Sequence, residues 1–326
     1  MKLWLNGMRP KTLPASVAPV CVGTAAALLV RSRLQAACTS VCSPTAKPQV
    51  QADVPGMGQV LAVFLLLVVL ALAMQIAANF ANDYSDGIRG TDEHRGSAEA
   101  VSGKPQRLVA SGVDPRTVFK AMLVAVTVTC LAGLAVMAIT GHWWMILVGI
   151  CCLLAGWFYV GGRHPYGYHG LGELSVFIFF GLVATLGTEY FVIGSVDRTG
   201  VLAACVCGLN AVGLLMLNNY RDMDSDRAAG KHTYAVLVGD KAARISVYAV
   251  YALSIVISLV QFIGVYWRFG SVSLPALIIV IPIAAFFILI CVRFAQGNQS
   301  RAFALAGRGT LVSALCWTVG LLLQLV

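Results

Sequence analysis

Seven acidic residues fall in two short clusters of a chain that otherwise avoids charge. The first cluster runs Asn79-Phe-Ala-Asn82-Asp83-Tyr-Ser-Asp86 and continues past Gly90 to Asp92 and Glu93. The second runs Asn218-Asn-Tyr-Arg221-Asp222-Met-Asp224-Ser-Asp226, followed by Gly230-Lys231-His232-Thr233. The chain has 14 acidic residues in all, so these two stretches hold half of them. Each cluster closes a long apolar run. Carboxylates at a membrane boundary are costly unless they bind something, and a hard cation such as Mg²⁺ is their natural partner.

Spacing sharpens this reading. On a continuing helix Asn79, Asp83 and Asp86 stand at i, i+4 and i+7, on one face. Asn218, Asp222 and Asp226 stand at i, i+4 and i+8, again on one face. Each helix end then offers an amide and two carboxylates to one spot. Mg²⁺ takes one or two carboxylates together with waters and phosphate oxygens. Two such sites facing each other would hold a diphosphate between two Mg²⁺ ions, which also neutralise a leaving group. Lys231, Arg227, Arg221, Arg107 and Lys104 are placed to contact phosphate oxygens. A single Asp at a helix end is an ordinary solvated carboxylate; the repetition of the pattern is what points to a site.

A third polar segment runs Tyr159-Val-Gly-Gly-Arg163-His-Pro-Tyr-Gly-Tyr168-His-Gly-Leu-Gly-Glu173. Its glycines, aromatics, arginine and glutamate suit a mobile lid or an aromatic-substrate pocket. They equally suit a turn that caps two helices with interfacial tyrosines. Glu189 lies deeper, near the outer end of the fifth span, and equally suits a structural acid hydrogen-bonded within the bundle.

These residues must be positioned by membrane helices. The chain is 59% hydrophobic and 11% charged, with mean hydropathy +0.82, a balance that excludes a soluble domain of 326 residues. We read it as a single all-α polytopic domain over 1–326. The net charge of +9 does not indicate nucleic-acid binding, because the basic residues lie between apolar spans as topology signals do. Nine stretches are long enough to cross a bilayer, near 12–30, 57–80, 117–140, 143–162, 171–194, 200–219, 243–266, 272–292 and 307–326. Lys2, Arg9 and Lys11 before the first run loosely mimic a signal peptide, but Pro14 and Pro19 interrupt that run and favour a retained helix.

With the N-terminus inside, only Arg31, Arg33, Lys47, Arg198 and Arg268 of the 23 Lys and Arg fall outside. This distribution predicts a cytoplasmic N-terminus and puts the Asp-rich segments, 81–116 and 220–242, on the cytoplasmic face. The stretch 31–56 reads as a polar outer loop; it holds Cys38 and Cys42, which would pair only on an oxidising side. The other eight cysteines fall in apolar spans and read as small buried residues. Spans two and six both end in Asn-rich sequence running into acids, a weak repeat that hints at two halves facing a shared central cavity. A transporter reading would require polar residues along the midplane, and the spans carry few, among them Thr185, Glu189 and Asn210.

At this point the chain resembles the UbiA superfamily of intramembrane prenyltransferases, over nearly its whole length. The resemblance is carried by Arg9-Pro-Lys-Thr-Leu-Pro-Ala-Ser-Val-Ala-Pro19, Gln75 through Asp92, Arg107-Leu-Val-Ala-Ser, Tyr168 through Glu173, and Asn218 through Thr233. It is least over 31–56 and near 96–104. The broad superfamily pattern is Asn-x-x-x-Asp-x-x-x-Asp. Asn82 and Asp86 fit it, but Gly90 holds the third position and the next acid is Asp92. This longer spacing resembles the naphthoate branch rather than the hydroxybenzoate branch. The stretch Gly96-Ser-Ala-Glu-Ala lacks the Gly-Pro step expected before Arg107.

The resemblance implies a Mg²⁺-dependent enzyme of the bacterial cytoplasmic membrane. Such an enzyme moves a polyprenyl group from polyprenyl diphosphate to 1,4-dihydroxy-2-naphthoate, loses CO₂ and diphosphate, and gives demethylmenaquinone. Another aromatic acceptor such as 4-hydroxybenzoate is the alternative. It implies metal binding by Asp83, Asp86, Asp222 and Asp226, with Asp92 as a further ligand, and assistance from Lys231 and Arg107. Asn79, Asn82, Asn218 and Arg221 would line the substrate site. Arg163 or Arg9 would orient the naphthoate carboxylate, and Glu173 would accept a phenolic proton.

Overall fold

Runs with no polar face form helices that are apolar all round, and such helices must be buried in a bundle or in lipid. The computed structural model describes residues 2–10, 12–41, 54–90, 107–267 and 274–325, and every regular element among them is helical. The helices are α1 (Lys2–Gly7), α2 (Pro14–Val41), α3 (Met57–Ile88), α4 (Pro115–Thr140), α5 (Met145–Val160), α6 (Gly172–Ile193), α7 (Arg198–Arg221), α8 (Met223–Ala228), α9 (Tyr234–Trp267), α10 (Leu274–Ala295) and α11 (Gln299–Leu322). A 3₁₀ turn at Tyr166–His169 precedes α6. The protein is an integral membrane protein. Eight of the described helices are long and apolar enough to cross a bilayer. The expected ninth, α5, has 16 residues and is about 24 Å long, short of the roughly 30 Å hydrocarbon core.

Local chemistry sets several helix ends. Asp114 accepts the Arg116 N–H and Pro115 opens α4, while Gly141, at φ 75°, closes it. Asp197 caps α7 by accepting the Gly200 N–H at 2.8 Å. Polarity alone does not stop a helix. α2 runs on to Val41, so residues 31–41 of the expected outer loop are helical, and Arg31 on α2 donates to the Pro55 carbonyl at 2.9 Å. α3 likewise runs eight residues past the expected 80, carrying Asp83 and Asp86 of the first cluster on a helix. Of the described parts of 81–116, residues 81–88 and 115–116 are helical and 107–114 is turn, whereas 220–242 is mostly helical.

α7 is the central helix, buried along most of its length. Asn210 in its middle donates to Ser313 Oγ on α11 and accepts from Ser254 Oγ on α9, each at 3.0 Å. This is the interhelical polar contact expected where no water competes. Gly181 on α6 sits against Gly208 on α7, where an added Cβ would lie 2.5 Å from the Gly208 Cα. Small residues permit that backbone approach, and Gly181 lies within the π-helical stretch Phe177–Val183. Leu131, Leu147, Leu154, Ile281 and Ile288 point outward, toward lipid. Trp143 and Trp144, between α4 and α5, are exposed at one end of the bundle, where Trp144 Nε1 donates to Tyr190 OH at 3.0 Å. The acidic clusters lie at the opposite ends of α3 and α7.

Candidate active site

The ends of α3 and α7 that carry the acids border one cavity of about 1170 Å³. Arg9, Asn79, Asn82, Arg107, Asn218, Arg221 and Asp222 form its polar end. Leu67, Leu70, Met137, Met145, Phe180 and Phe191 line its apolar remainder. On α3 alone the lining runs from Leu67 to Asn82, about 22 Å of helix.

α3 stays helical through Asp86, so Asn79, Asp83 and Asp86 do share a face. They meet different partners on it. Asp86, 5% exposed, lies 3.0 Å from Lys231 Nζ and also accepts the Tyr168 hydroxyl. Asp83, 1% exposed, accepts the Leu108 N–H at 2.8 Å and the Val109 N–H at 3.1 Å, one on each oxygen. It thereby anchors the turn that presents Arg107 to the cavity. Gly87 lets this turn lie on α3, since an added Cβ would sit 2.4 Å from Val109 Cγ1. Asn79 donates to the Met8 carbonyl at 2.8 Å and to Thr12 Oγ1 at 3.2 Å, which ties α3 to the N-terminal turn.

In the second cluster α7 ends at Arg221, and Asp222 (φ −96°, ψ 8°) joins it to α8. The i+4 register nevertheless survives: the Asp222 N–H reaches the Asn218 carbonyl at 3.1 Å, and the Asp226 N–H reaches the Asp222 carbonyl at 2.8 Å. Arg221 forks onto Asp222 at 3.1 and 3.2 Å, donates to Asn218 Oδ1 at 2.8 Å, and lies over the Phe303 ring. Asp226 is 8% exposed, and its carbonyl accepts the Lys231 N–H at 2.8 Å. Gly230, at φ 70°, allows that turn. Asp224, in contrast, is a solvated carboxylate whose ion pair among the described residues is with Arg227 at 3.7 Å.

Tyr168 joins the two clusters. Its hydroxyl donates to Asp86, its carbonyl accepts the His232 N–H at 2.9 Å, and Lys231 Nζ stands 4.7 Å from its ring centre. Burial, and next the Asp86 carboxylate, push its phenol well above the ordinary tyrosine range, so it stays a donor at neutral pH. Arg89 also stacks on this ring and donates to the Val160 carbonyl at 2.6 Å, fixing the end of α5. Sequence alone places Tyr168 in a lid or turn segment and in a family-like stretch, with no role of its own. Gln75, Thr12 and Tyr159, which also border the cavity, had no charge to mark them.

Other expected residues lie elsewhere. Arg163 is on an exposed bend and does not border the cavity. Glu173 is 8% exposed and outside the cavity lining; its Oε1 accepts from Asn219 Nδ2 at 3.0 Å, beside Asn218. Asp92 and Lys104 lie outside the described residues, as do the side chains of Cys38 and Cys42.

Among the described residues no three His, Cys, Asp or Glu side chains gather round one point. A closed all-protein cage is thus absent from them. Asp86, Asp222 and Asp226 are nonetheless each more than nine-tenths buried. Two of them are paired with flexible cations, Lys231 and Arg221. That donor set fits Mg²⁺, which takes few carboxylates and completes its shell with waters and phosphate oxygens.

Residues 50–318 match the family model described as the UbiA prenyltransferase family. The chain is 39% identical over 274 residues to the 1,4-dihydroxy-2-naphthoate octaprenyltransferase of Mycobacterium leprae, covering 83% of this chain and 82% of that protein. It is 34% identical over 247 residues to the enzyme of the same name from Escherichia coli, covering 74% and 70%. In fold it is similar to a UbiA homolog from Aeropyrum pernix, at TM-score 0.63 and 17% identity over 95% of this chain and 98% of that one. It is also similar to a UbiA homolog from Archaeoglobus fulgidus bound to DMAPP and Mg²⁺, at TM-score 0.58 and 14% identity over 94% and 98%.

Proposed function

The chain belongs to the UbiA prenyltransferase family, and from that premise we propose that it transfers a polyprenyl group from polyprenyl diphosphate to 1,4-dihydroxy-2-naphthoate. The reaction releases diphosphate and CO₂ and gives demethylmenaquinone, formed as the quinol. That it is a membrane-embedded aromatic prenyltransferase follows from the family and its named relatives. The observation that carries the finer reading is the single cavity with one cationic and amide-rich end and an apolar remainder. That end suits a diphosphate and an aromatic acid, and the remainder suits a prenyl chain. The naphthoate names of the relatives, at 34–39% identity, support the acceptor.

Asp86, Asp222 and Asp226 would hold Mg²⁺, two ions as the paired clusters imply. When bound, Mg²⁺ supplies neutralisation of the charge that builds on the leaving diphosphate. Lys231 exchanges Asp86 for a phosphate oxygen, and Arg221 and Arg107 contact the same group. Asn82 and Asn218 border the same end and offer amides to the diphosphate and its waters. The allylic C–O bond breaks, its electron pair leaving with diphosphate, and the apolar cavity keeps water from the allylic cation. A carbon of the electron-rich naphthoate ring attacks, and the ring carboxylate departs as CO₂ to restore aromaticity. Asp83 serves by holding Arg107 in place. Glu173 serves through Asn219 at the end of α7. The clusters open to the cytoplasm of a bacterial cell, as the distribution of Lys and Arg indicates.

The test uses purified protein in detergent with Mg²⁺, a short prenyl diphosphate and carboxyl-labelled 1,4-dihydroxy-2-naphthoate. Prenylated quinone with labelled CO₂ is the expected result. Turnover with 4-hydroxybenzoate alone would overturn the acceptor while keeping the donor site.

A further inference from the structure

We propose that Asn79 is a positioning residue for the aromatic acceptor: it holds the N-terminal turn so that Arg9 presents its guanidinium to the acceptor's carboxylate. The inference rests on the reading above that the acceptor is an aromatic acid. Helix spacing alone groups Asn79 with the metal-binding face of α3, and its contacts point elsewhere.

Asn79 is 3% exposed. Both of its N–H donors are committed, to the Met8 carbonyl at 2.8 Å and to Thr12 Oγ1 at 3.2 Å. Gln75 Nε2 donates to its Oδ1 at 3.3 Å, which fixes the amide from the other side. A carbonyl at Met8 can only accept, so the amide nitrogen must face it. Thr12 in turn donates to the Arg9 carbonyl at 2.9 Å. The relay therefore runs Gln75, Asn79, Thr12, Arg9, and all four residues border the cavity.

Arg9 is the one non-glycine residue with positive φ among those described, at 51°. A left-handed arginine is costly and persists only where its surroundings over-determine it, as Thr12 and Asn79 do here. Its Nη2 is buried and has no hydrogen-bond partner among the described residues. The neighbouring acid, Asp83, has both oxygens taken by the Leu108 and Val109 N–H groups. A permanently charged fork, held in strain at the cavity wall with a donor unspent, matches a planar carboxylate. Arg163, the other arginine expected to do this, is on an exposed bend away from the cavity.

The experiment compares wild-type enzyme with Arg9→Gln, Asn79→Ala, Thr12→Val and Thr12→Ser. Steady-state rates are taken with 1,4-dihydroxy-2-naphthoate and with 1,4-dihydroxynaphthalene, which lacks the carboxylate and loses a proton where the acid loses CO₂. Arg9→Gln, Asn79→Ala and Thr12→Val should raise KM for the acid on the order of tenfold or more, the size expected for losing hydrogen bonds to a charged group. Their preference for the acid over the uncharged ring should shrink equally, while KM for the prenyl diphosphate and the Mg²⁺ requirement hold. Thr12→Ser keeps the hydroxyl and should behave as wild type, which guards against misfolding of any harsher variant. A rise in donor KM or Mg²⁺ requirement with acceptor preference intact would overturn the proposal. So would a uniform loss of rate with preference unchanged. Wild-type enzyme that refuses the naphthoate would instead overturn the acceptor assignment on which the proposal stands.

Discussion

Lys231 Nζ lies 3.0 Å from Asp86 Oδ1, although the two residues are 145 positions apart in the chain. The same lysine has its backbone N–H on the Asp226 carbonyl at 2.8 Å. One residue thus spans the two acidic clusters, with its charge on the first and its backbone on the second. On the proposed function, a diphosphate entering between them would meet a cation already in place.

From this pairing, Lys231→Ala should lower kcat/KM for the prenyl diphosphate by at least about a hundredfold, the scale of losing one preorganised charge at a leaving group. Asp86→Asn should instead raise the Mg²⁺ concentration needed for half-maximal rate. Titrating Mg²⁺ at fixed donor separates the two. Identical Mg²⁺ curves for Asp86→Asn and wild type would sink the metal assignment.

Asp83 stands one turn away and should behave differently. Asp83→Ala leaves the buried Leu108 N–H and the half-buried Val109 N–H without acceptors, at a cost of about 2 kcal/mol. The melting temperature should fall and donor KM should rise as Arg107 loosens, with the Mg²⁺ titration unmoved. A shifted Mg²⁺ titration would make Asp83 a ligand after all.

Tyr168 gives a pH signature. Its folded pKa is raised, by burial first and by Asp86 next. A raised pKa means stability that is fully present below the unfolded value of about 10 and lost as pH rises through the folded value. Thermal stability should therefore decline above about pH 10, and Tyr168→Phe should flatten that part of the decline. Melting curves from neutral pH to about pH 11 provide the check, and parallel profiles for both proteins would contradict it.

Asn210 bridges Ser254 and Ser313 in the middle of the bundle. Asn210→Ala should destabilise the fold by about 1 kcal/mol, the range measured for polar contacts between membrane helices. Because Asn210 does not border the cavity, KM for both substrates should stay near wild type in the folded fraction.

Much of this was readable from residue order. Composition fixed a membrane protein, because 59% apolar residues cannot be covered by 11% charged ones in water. Apolar run lengths located the crossing helices, and only α5 came out too short to qualify by length. The acids at the ends of two runs marked the candidate site, since charge there is expensive. Helical periodicity correctly placed Asn79, Asp83 and Asp86 on one face.

What periodicity does not contain is the identity of the surface opposite that face. Asp83 meets backbone N–H groups of a following turn, Asn79 meets the N-terminal turn, and Asp86 meets a lysine from beyond α8. Three residues with one helical address therefore do three different things. A residue's face is fixed by its own helix's 3.6-residue repeat, a local property that sequence states directly. Its partner is fixed by how distant helices pack, a property of the whole bundle that only the tertiary structure decides.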